Sequence, residues 1–130
     1  MSHDAAITLT TVNFPALSDA NYSEWVIRME AELVRKDLWD VIELPAPMKD
    51  LKTEKEIAAW HESQLAARDV TKMAMARAEI IQKVQVSQLS HMRSRDPREI
   101  WLDLARMHVA QGLATRLRLR RQFLRLVKDV

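Results

Sequence analysis

Apolar residues recur at helical spacing along most of this chain. Trp25 and Met29 lie four residues apart, and the pattern around them predicts a helix that ends near residue 36. Asn21, with Glu24 three residues later, is typical of the capping box that begins a helix. The short apolar stretch 38–42 predicts a turn packed on the core, because it is too short for another full helix.

Two further start signals divide the second half of the chain. Thr53–Glu56 is another capping box, and nothing interrupts a helical pattern from there to about Val86. A pattern of about 33 residues is long for a globular helix, so we expect a kink or break inside it. Asp96 followed by Pro97 predicts a helix with an aspartate cap and proline at its first position. Gly112 is expected to separate that helix from a last one over 113 to about 128.

These patterns predict a single compact all-α bundle of about five helices. The β-branched cluster 7–12 predicts an extended arm, which we bound at residues 1–16, and residues 17–130 form the helical domain. A length of 130 residues fits one domain with a substantial core. The apolar fraction of 48% and the charged fraction of 29% are typical of a globular protein.

The scarcity of glycine and cysteine narrows the function classes. A P-loop, a dinucleotide-binding fingerprint and a nucleophile elbow each need at least two glycines, and Gly112 is the single one. The chain has no cysteine, which fits a reducing compartment. The first six residues lack the pattern of a signal peptide, and no apolar run is long enough to span a bilayer. We therefore expect a cytoplasmic protein with no membrane partner.

The titratable residues form no recognisable catalytic or metal-binding motif. The four histidines are not spaced three or four residues apart, as zinc ligands on one helix would be. Carboxylates are interspersed with lysine and arginine, which is typical of solvated helix faces. We expect no enzyme activity, no cofactor, no metal and no small-molecule substrate. An enzyme would instead require a polar cleft with perturbed titratable groups.

The four tryptophans fall one per predicted segment, at positions on the apolar face. Tryptophan buries a large area, so these residues are interpreted as core anchors rather than as a stacking platform for bases. The predicted core anchors are Trp25, Met29, Trp39, Trp60, Ile100, Trp101, Leu117 and Leu124.

The last predicted helix is strongly basic. The chain carries a formal charge of +2, and outside this helix the balance is about −3. Leucines line one side of the helix and a second apolar edge follows 119, 123 and 126. Its basic residues could contact RNA phosphates or an acidic patch on a neighbouring subunit, or be solvated. These candidate contacts are Arg116, Arg118, Arg120, Arg121, Arg125 and Lys128.

Five blocks of sequence resemble copia-type (Ty1/copia) retrotransposon Gag polypeptides. Residues 17–33 are similar to the opening motif L-x-G-x-N-Y-x-x-W-x-x-x-M-x-x-x-L, although Asp19 or Ala20 replaces its glycine. Residues 36–42 resemble the next block of the family. A third block is matched by Trp60, Asp69, Ala76 and Ile80. The fourth block, A-x-E-x-W-x-x-L, is matched by Glu99, Trp101 and Leu104. Residues 113–126 resemble the closing leucine pattern. The blocks follow the order of the family and span about residues 14–127.

The resemblance implies a capsid N-terminal-domain-like fold with a structural role. Gag capsid domains self-associate into virus-like particles that package the RNA of the transposable element, and no catalytic residue is carried over. Family members continue into further capsid helices, so this sequence resembles the first capsid lobe. The resemblance is compatible with three origins of this sequence: an excised capsid domain, a decayed element or a domesticated gene product. The alternative function is an RNA-binding module that uses the last helix. A further possibility is that the arm 7–14 binds in a hydrophobic groove of its own or a neighbouring subunit.

Overall fold

The computed structural model describes the backbone of residues 13–128 and the side chains of residues 13–126. The predicted all-α class is confirmed. Most of the extended arm predicted over 1–16 lies outside the described residues, and residues 13–16 form no helix. The α-helices are α1 (Tyr22–Arg35), α2 (Glu54–Ala66), α3 (Val70–Gln82) and α4 (Pro97–Lys128), and two 3₁₀ helices span Trp39–Val41 and Val86–His91.

The core lies between α1, α3, the first half of α4 and the first 3₁₀ helix, and α3 contacts each of the other three. Its apolar side chains are almost completely withdrawn from solvent. By contrast, α2 contributes no buried side chain. The core residues are Phe14, Leu17, Trp25, Met29, Leu33, Leu38, Val41, Ile42, Ala76, Ile80, Met92, Ile100 and Leu104.

Side-chain caps begin three of the helices, but the prediction that the Asn21 side chain caps α1 is wrong. Thr53, Asp69 and Asp96 each accept a hydrogen bond from a backbone N–H in the first turn of the following helix. Asn21 precedes α1, yet its side chain accepts from the Ser18 N–H and donates to the Ala16 carbonyl. It therefore fixes the turn before the helix.

Asp37 ends α1 in a conformation that usually requires glycine. Its φ of 60° lies in the left-handed region. The Asp37 N–H donates to the Val34 carbonyl and the Leu38 N–H donates to the Leu33 carbonyl, 2.8 Å away. This pair of bonds is a Schellman motif, in which a short polar residue such as aspartate tolerates the left-handed position. The motif directs Leu38 back into the core.

The structure confirms one expected break and contradicts another. The long pattern from Thr53 is divided at residues 67–69, between α2 and α3. The break expected at Gly112 is wrong, because α4 is a continuous helix of 32 residues. Gly112 does not adopt a positive φ. A helical glycine costs only about 1 kcal/mol relative to alanine, so it does not by itself end a helix.

The eight expected core anchors have unequal environments. Trp25, Met29 and Ile100 belong to the core, while Trp39 and Trp101 are partly buried against it. Trp60 is partly exposed on α2 and lies outside the core cluster. The expectation is wrong for Leu117 and Leu124, which are 49% and 56% exposed. Both follow the point at which α4 leaves the domain, where no element of residues 13–126 covers them.

Candidate assembly and RNA-contact surface

The first half of α4 is fixed to the domain by apolar and polar contacts. Ile100 and Leu104 are buried in the core. One turn further on, His108 Nε2 lies 2.9 Å from Gln88 Oε1, and Gln88 Nε2 donates to Asp19 Oδ1 at 2.8 Å. Because Asp19 fixes the amide orientation, Gln88 Oε1 accepts and His108 Nε2 donates. This chain of hydrogen bonds joins α4 to the second 3₁₀ helix and to the turn before α1.

The environment of His108 favours a neutral imidazole. Burial lowers its pKa below the ordinary value of 6.5, and the nearby His91 acts in the same direction, while Asp19 opposes them. Tyr22 stacks on the imidazole, with ring centroids 4.7 Å apart and an angle of 5° between the planes. His108 is therefore a structural residue at the base of the exposed part of α4.

Every residue from 113 to 126 is exposed. We call these residues the distal segment of α4. At about 1.5 Å per residue, it extends roughly 20 Å along the helix axis. A helix in this environment gains little from packing on its own domain, and most helical stability in proteins comes from such packing. The distal segment is thus a surface suited to a partner.

Large apolar side chains on the distal segment are exposed along two edges. Leu113, Leu117 and Leu124 form one edge, with exposures of 55%, 49% and 56%. The second edge carries Leu119, Phe123 and Leu126, which are 58%, 64% and 68% exposed. Contiguous exposed apolar surface is typical of a protein interaction site.

The distal segment is also the most basic part of the molecule. It carries five arginines and no acidic residue. None of the five forms an ion pair with another residue of the described part of the chain. Lys128 is the last described residue of α4, and its side chain lies outside the described residues. The exposed arginines predicted as contacts are Arg116, Arg118, Arg120, Arg121 and Arg125.

The opening motif of the chain supports the domain rather than the exposed surface. Leu17 forms a parallel bridge with Val84, and its N–H donates to the Lys83 carbonyl at 2.8 Å. Trp25 Nε1 donates to the same carbonyl, also at 2.8 Å. Residues 17–25 therefore connect the start of α1 to the end of α3.

Other surfaces offer less chemistry. An open cleft of about 480 Å³ lies between the 44–47 loop and α4, bordered by Glu30, Glu43, Trp101 and Leu102. Among residues 13–126, no three His, Cys, Asp or Glu side chains gather as a metal site. Across the described helices, none combines the length and apolar character needed to cross a bilayer.

One family matches part of this chain. It is described as Domain of unknown function (DUF4219), and it matches residues 17–43. That stretch contains α1, the turn at Asp37 and the first 3₁₀ helix, so the matched residues supply much of the core. No curated protein and no solved structure matches the chain.

Proposed function

We propose that this chain is a Gag-like capsid domain of a copia-type retrotransposon, or of a domesticated derivative, and that it acts by self-assembly. It has a structural role and performs no catalysis. Its principal partner is a second copy of itself, and the assembled form is a particle that packages RNA. The cysteine-free composition fits a reducing compartment, and we place assembly in the cytoplasm.

The exposed distal segment is the observation that carries this proposal. Six large apolar side chains on 14 residues of one helix are 49–68% exposed in the described chain. Such a surface favours association with another protein over a monomeric state. Two further features support the Gag type of assembly: the domain matched at residues 17–43 is found in copia-type Gag regions, and the fold is all-α.

Particle formation by the purified protein tests the proposal. We expect electron microscopy and light scattering to detect closed multimeric particles, and added RNA to increase their yield. Repeating subunit contacts are individually weak, so particle yield should rise steeply with protein concentration. The Val86→Lys variant is a control for a surface charge placed outside the distal segment, because Val86 is 84% exposed and far in sequence from that segment. It should form particles as well as the unmodified protein. A protein that stays smaller than a particle at every concentration, with and without RNA, would contradict the proposal.

A second candidate function is direct RNA binding by the distal segment. Five exposed arginines without an ion pair inside the described chain are available to phosphates. Arginine is well suited to this contact because its guanidinium group donates two parallel hydrogen bonds. The two functions are compatible, since one edge of a helix can contact protein while its arginines contact RNA.

Salt dependence tests the RNA contact. If all five arginines contact phosphates of single-stranded RNA, the logarithm of the binding constant should fall with log salt with a slope of about −3.5. Replacing the five arginines with alanine should abolish most of this slope in a fluorescence-anisotropy titration. The matched control removes five exposed positive charges elsewhere and should bind almost normally: Lys49, Lys52, Lys55, Arg93 and Arg95 to alanine. Equal losses in both variants would mean that RNA responds only to net charge.

A further inference from the structure

One exposed stripe on α4 begins on the domain and continues along the distal segment. Besides Leu113, Leu117 and Leu124, it includes Leu102 and Val109, which are 41% and 64% exposed. At 3.6 residues per turn, all five fall within one side of the helix, opposite the buried Ile100 and Leu104. The stripe therefore faces away from the buried side of α4 along about 33 Å of helix.

The spacing within this stripe is the same in both directions. Leu102, Val109, Leu113, Leu117 and Leu124 are separated by seven, four, four and seven residues, with Leu113 at the centre. A two-fold interface brings the same patch of two subunits together, so residue i contacts j and j contacts i. Two antiparallel copies of α4 centred on Leu113 would satisfy this condition. Leu102 would then face Leu124, Val109 would face Leu117, and Leu113 would meet its own copy.

Charge favours the antiparallel orientation over the parallel one. In a parallel pair, five arginines of each distal segment would lie beside five of the other, with no acidic residue among them. In the antiparallel pair, each distal segment lies beside the opposite end of the stripe. Acidic groups are present there: Asp103 is on α4 beside Arg106, and Glu30 and Glu43 border the cleft next to Leu102 together with Arg98. That end of the stripe therefore carries both signs of charge, whereas the distal segment carries only positive charge. Arg106 and Arg120 would face each other within the stripe, where their long side chains reach solvent.

We propose that the Leu102–Leu124 stripe of α4 pairs antiparallel with the same stripe of a second copy, with the two-fold axis at Leu113. This inference rests on the proposed self-assembly and specifies one of its contacts. The second apolar edge and the outward arginines remain free in the pair. They are therefore available for the next contact in a larger assembly or for RNA.

Cysteine cross-linking tests the orientation directly, because the chain has no cysteine of its own. Under mild oxidation, Leu113→Cys should cross-link to itself, since the two side chains meet at the axis. Leu102→Cys mixed with Leu124→Cys should give the mixed dimer, whereas each alone should give little product. Val86→Cys, which is 84% exposed, measures random collision. Self-cross-linking of Leu124→Cys as fast as Leu113→Cys, or a Leu113→Cys rate equal to that of Val86→Cys, would overturn the proposal.

A charge in the stripe should separate the copies without unfolding them. Leu117→Lys should raise the dimer dissociation constant at least tenfold in sedimentation equilibrium, while Val86→Lys leaves it unchanged. Both side chains are exposed, so circular dichroism and the thermal midpoint should stay close to those of the unmodified protein. An unchanged dissociation constant for Leu117→Lys contradicts the pairing.

Particle formation by the same variants separates this pairing from the broader function. Cross-linked antiparallel dimers that never form particles would uphold the pairing and overturn the proposed capsid role. Particles formed equally well by Leu117→Lys would overturn the pairing and leave the capsid role intact. A wild-type protein that is monomeric at every concentration overturns both.

Discussion

Replacing Trp25 with alanine is expected to lower the free energy of unfolding by about 3–5 kcal/mol. Trp25 is 1% exposed, and its ring packs 5.8 Å from that of Trp101. Its Nε1 donates to the Lys83 carbonyl, so the change removes a hydrogen bond as well as a large apolar volume. The loss is a large part of the 5–15 kcal/mol that stabilises typical domains. Chemical denaturation monitored by circular dichroism would measure it.

Two variants separate the contributions to this loss. Trp60→Ala removes the same side chain from α2, which has no buried residue, and should cost less than about 1 kcal/mol. Trp25→Phe keeps most of the packing and removes the hydrogen bond, which should cost about 1 kcal/mol beyond the lost volume. The Lys83 carbonyl would still accept from the Leu17 N–H. Equal midpoints for Trp25→Ala and Trp60→Ala would refute the unequal roles of these tryptophans.

The helical elements could be predicted because their signals are local. Helical spacing identified α1, and Thr53 and Asp96 marked the starts of α2 and α4 by side-chain caps that the structure contains. The break predicted at Gly112 was wrong because glycine ends a helix only where the backbone needs a positive φ, and Gly112 does not adopt one. Asp37 shows the converse, since it occupies a position where glycine is usual and carries no glycine signal.

The contacts between distant segments could not be predicted, because each depends on the folded arrangement. The buried Gln88 lies between Asp19 and His108, which are far apart in the sequence. Two arginines expected on solvated helix faces instead donate to backbone carbonyls. Arg77 donates to Ser94 and Met92, and Arg98 donates to Ile42 at 2.6 Å. These bonds satisfy carbonyls in irregular segments that no helix or sheet pairs.

The candidate surface was predicted in part. The basic character of 113–126 follows from counting charges, but the exposure of Leu117 and Leu124 does not. A helix with two apolar edges is compatible with burial in its own domain and with burial against another protein. The structure distinguishes these possibilities because residues 113–126 are all exposed, so nothing in the described part of the chain buries either edge. The leucines expected to stabilise the core are thereby available to a partner.

Replacing Arg68 with glutamine is expected to lower the free energy of unfolding by about 2–3 kcal/mol. The Arg68 side chain is 8% exposed and contacts both carboxylate oxygens of Asp96, at 2.8 and 2.9 Å. It also donates to the carbonyls of Val41 and Leu65. One guanidinium group thus holds together the end of α2, the first 3₁₀ helix and the cap of α4. Glutamine can replace few of these bonds, and Asp96 would keep a partly buried charge without its partner.

The pH dependence of this loss provides the sharper test. The Arg68 guanidinium holds the pKa of Asp96 below its ordinary value of 3.8, and the Arg98 N–H acts in the same direction. The ion pair therefore stabilises the fold above about pH 4, and this contribution disappears as the pH falls through the lowered pKa. Denaturation midpoints of Arg68→Gln and wild type should differ most near pH 7 and converge in strong acid. Arg28→Gln, which breaks an exposed pair with Glu24, should cost at most about 0.5 kcal/mol at either pH. A difference between Arg68→Gln and wild type that stays constant down to strong acid would show that the lost stability comes from packing rather than from the ion pair.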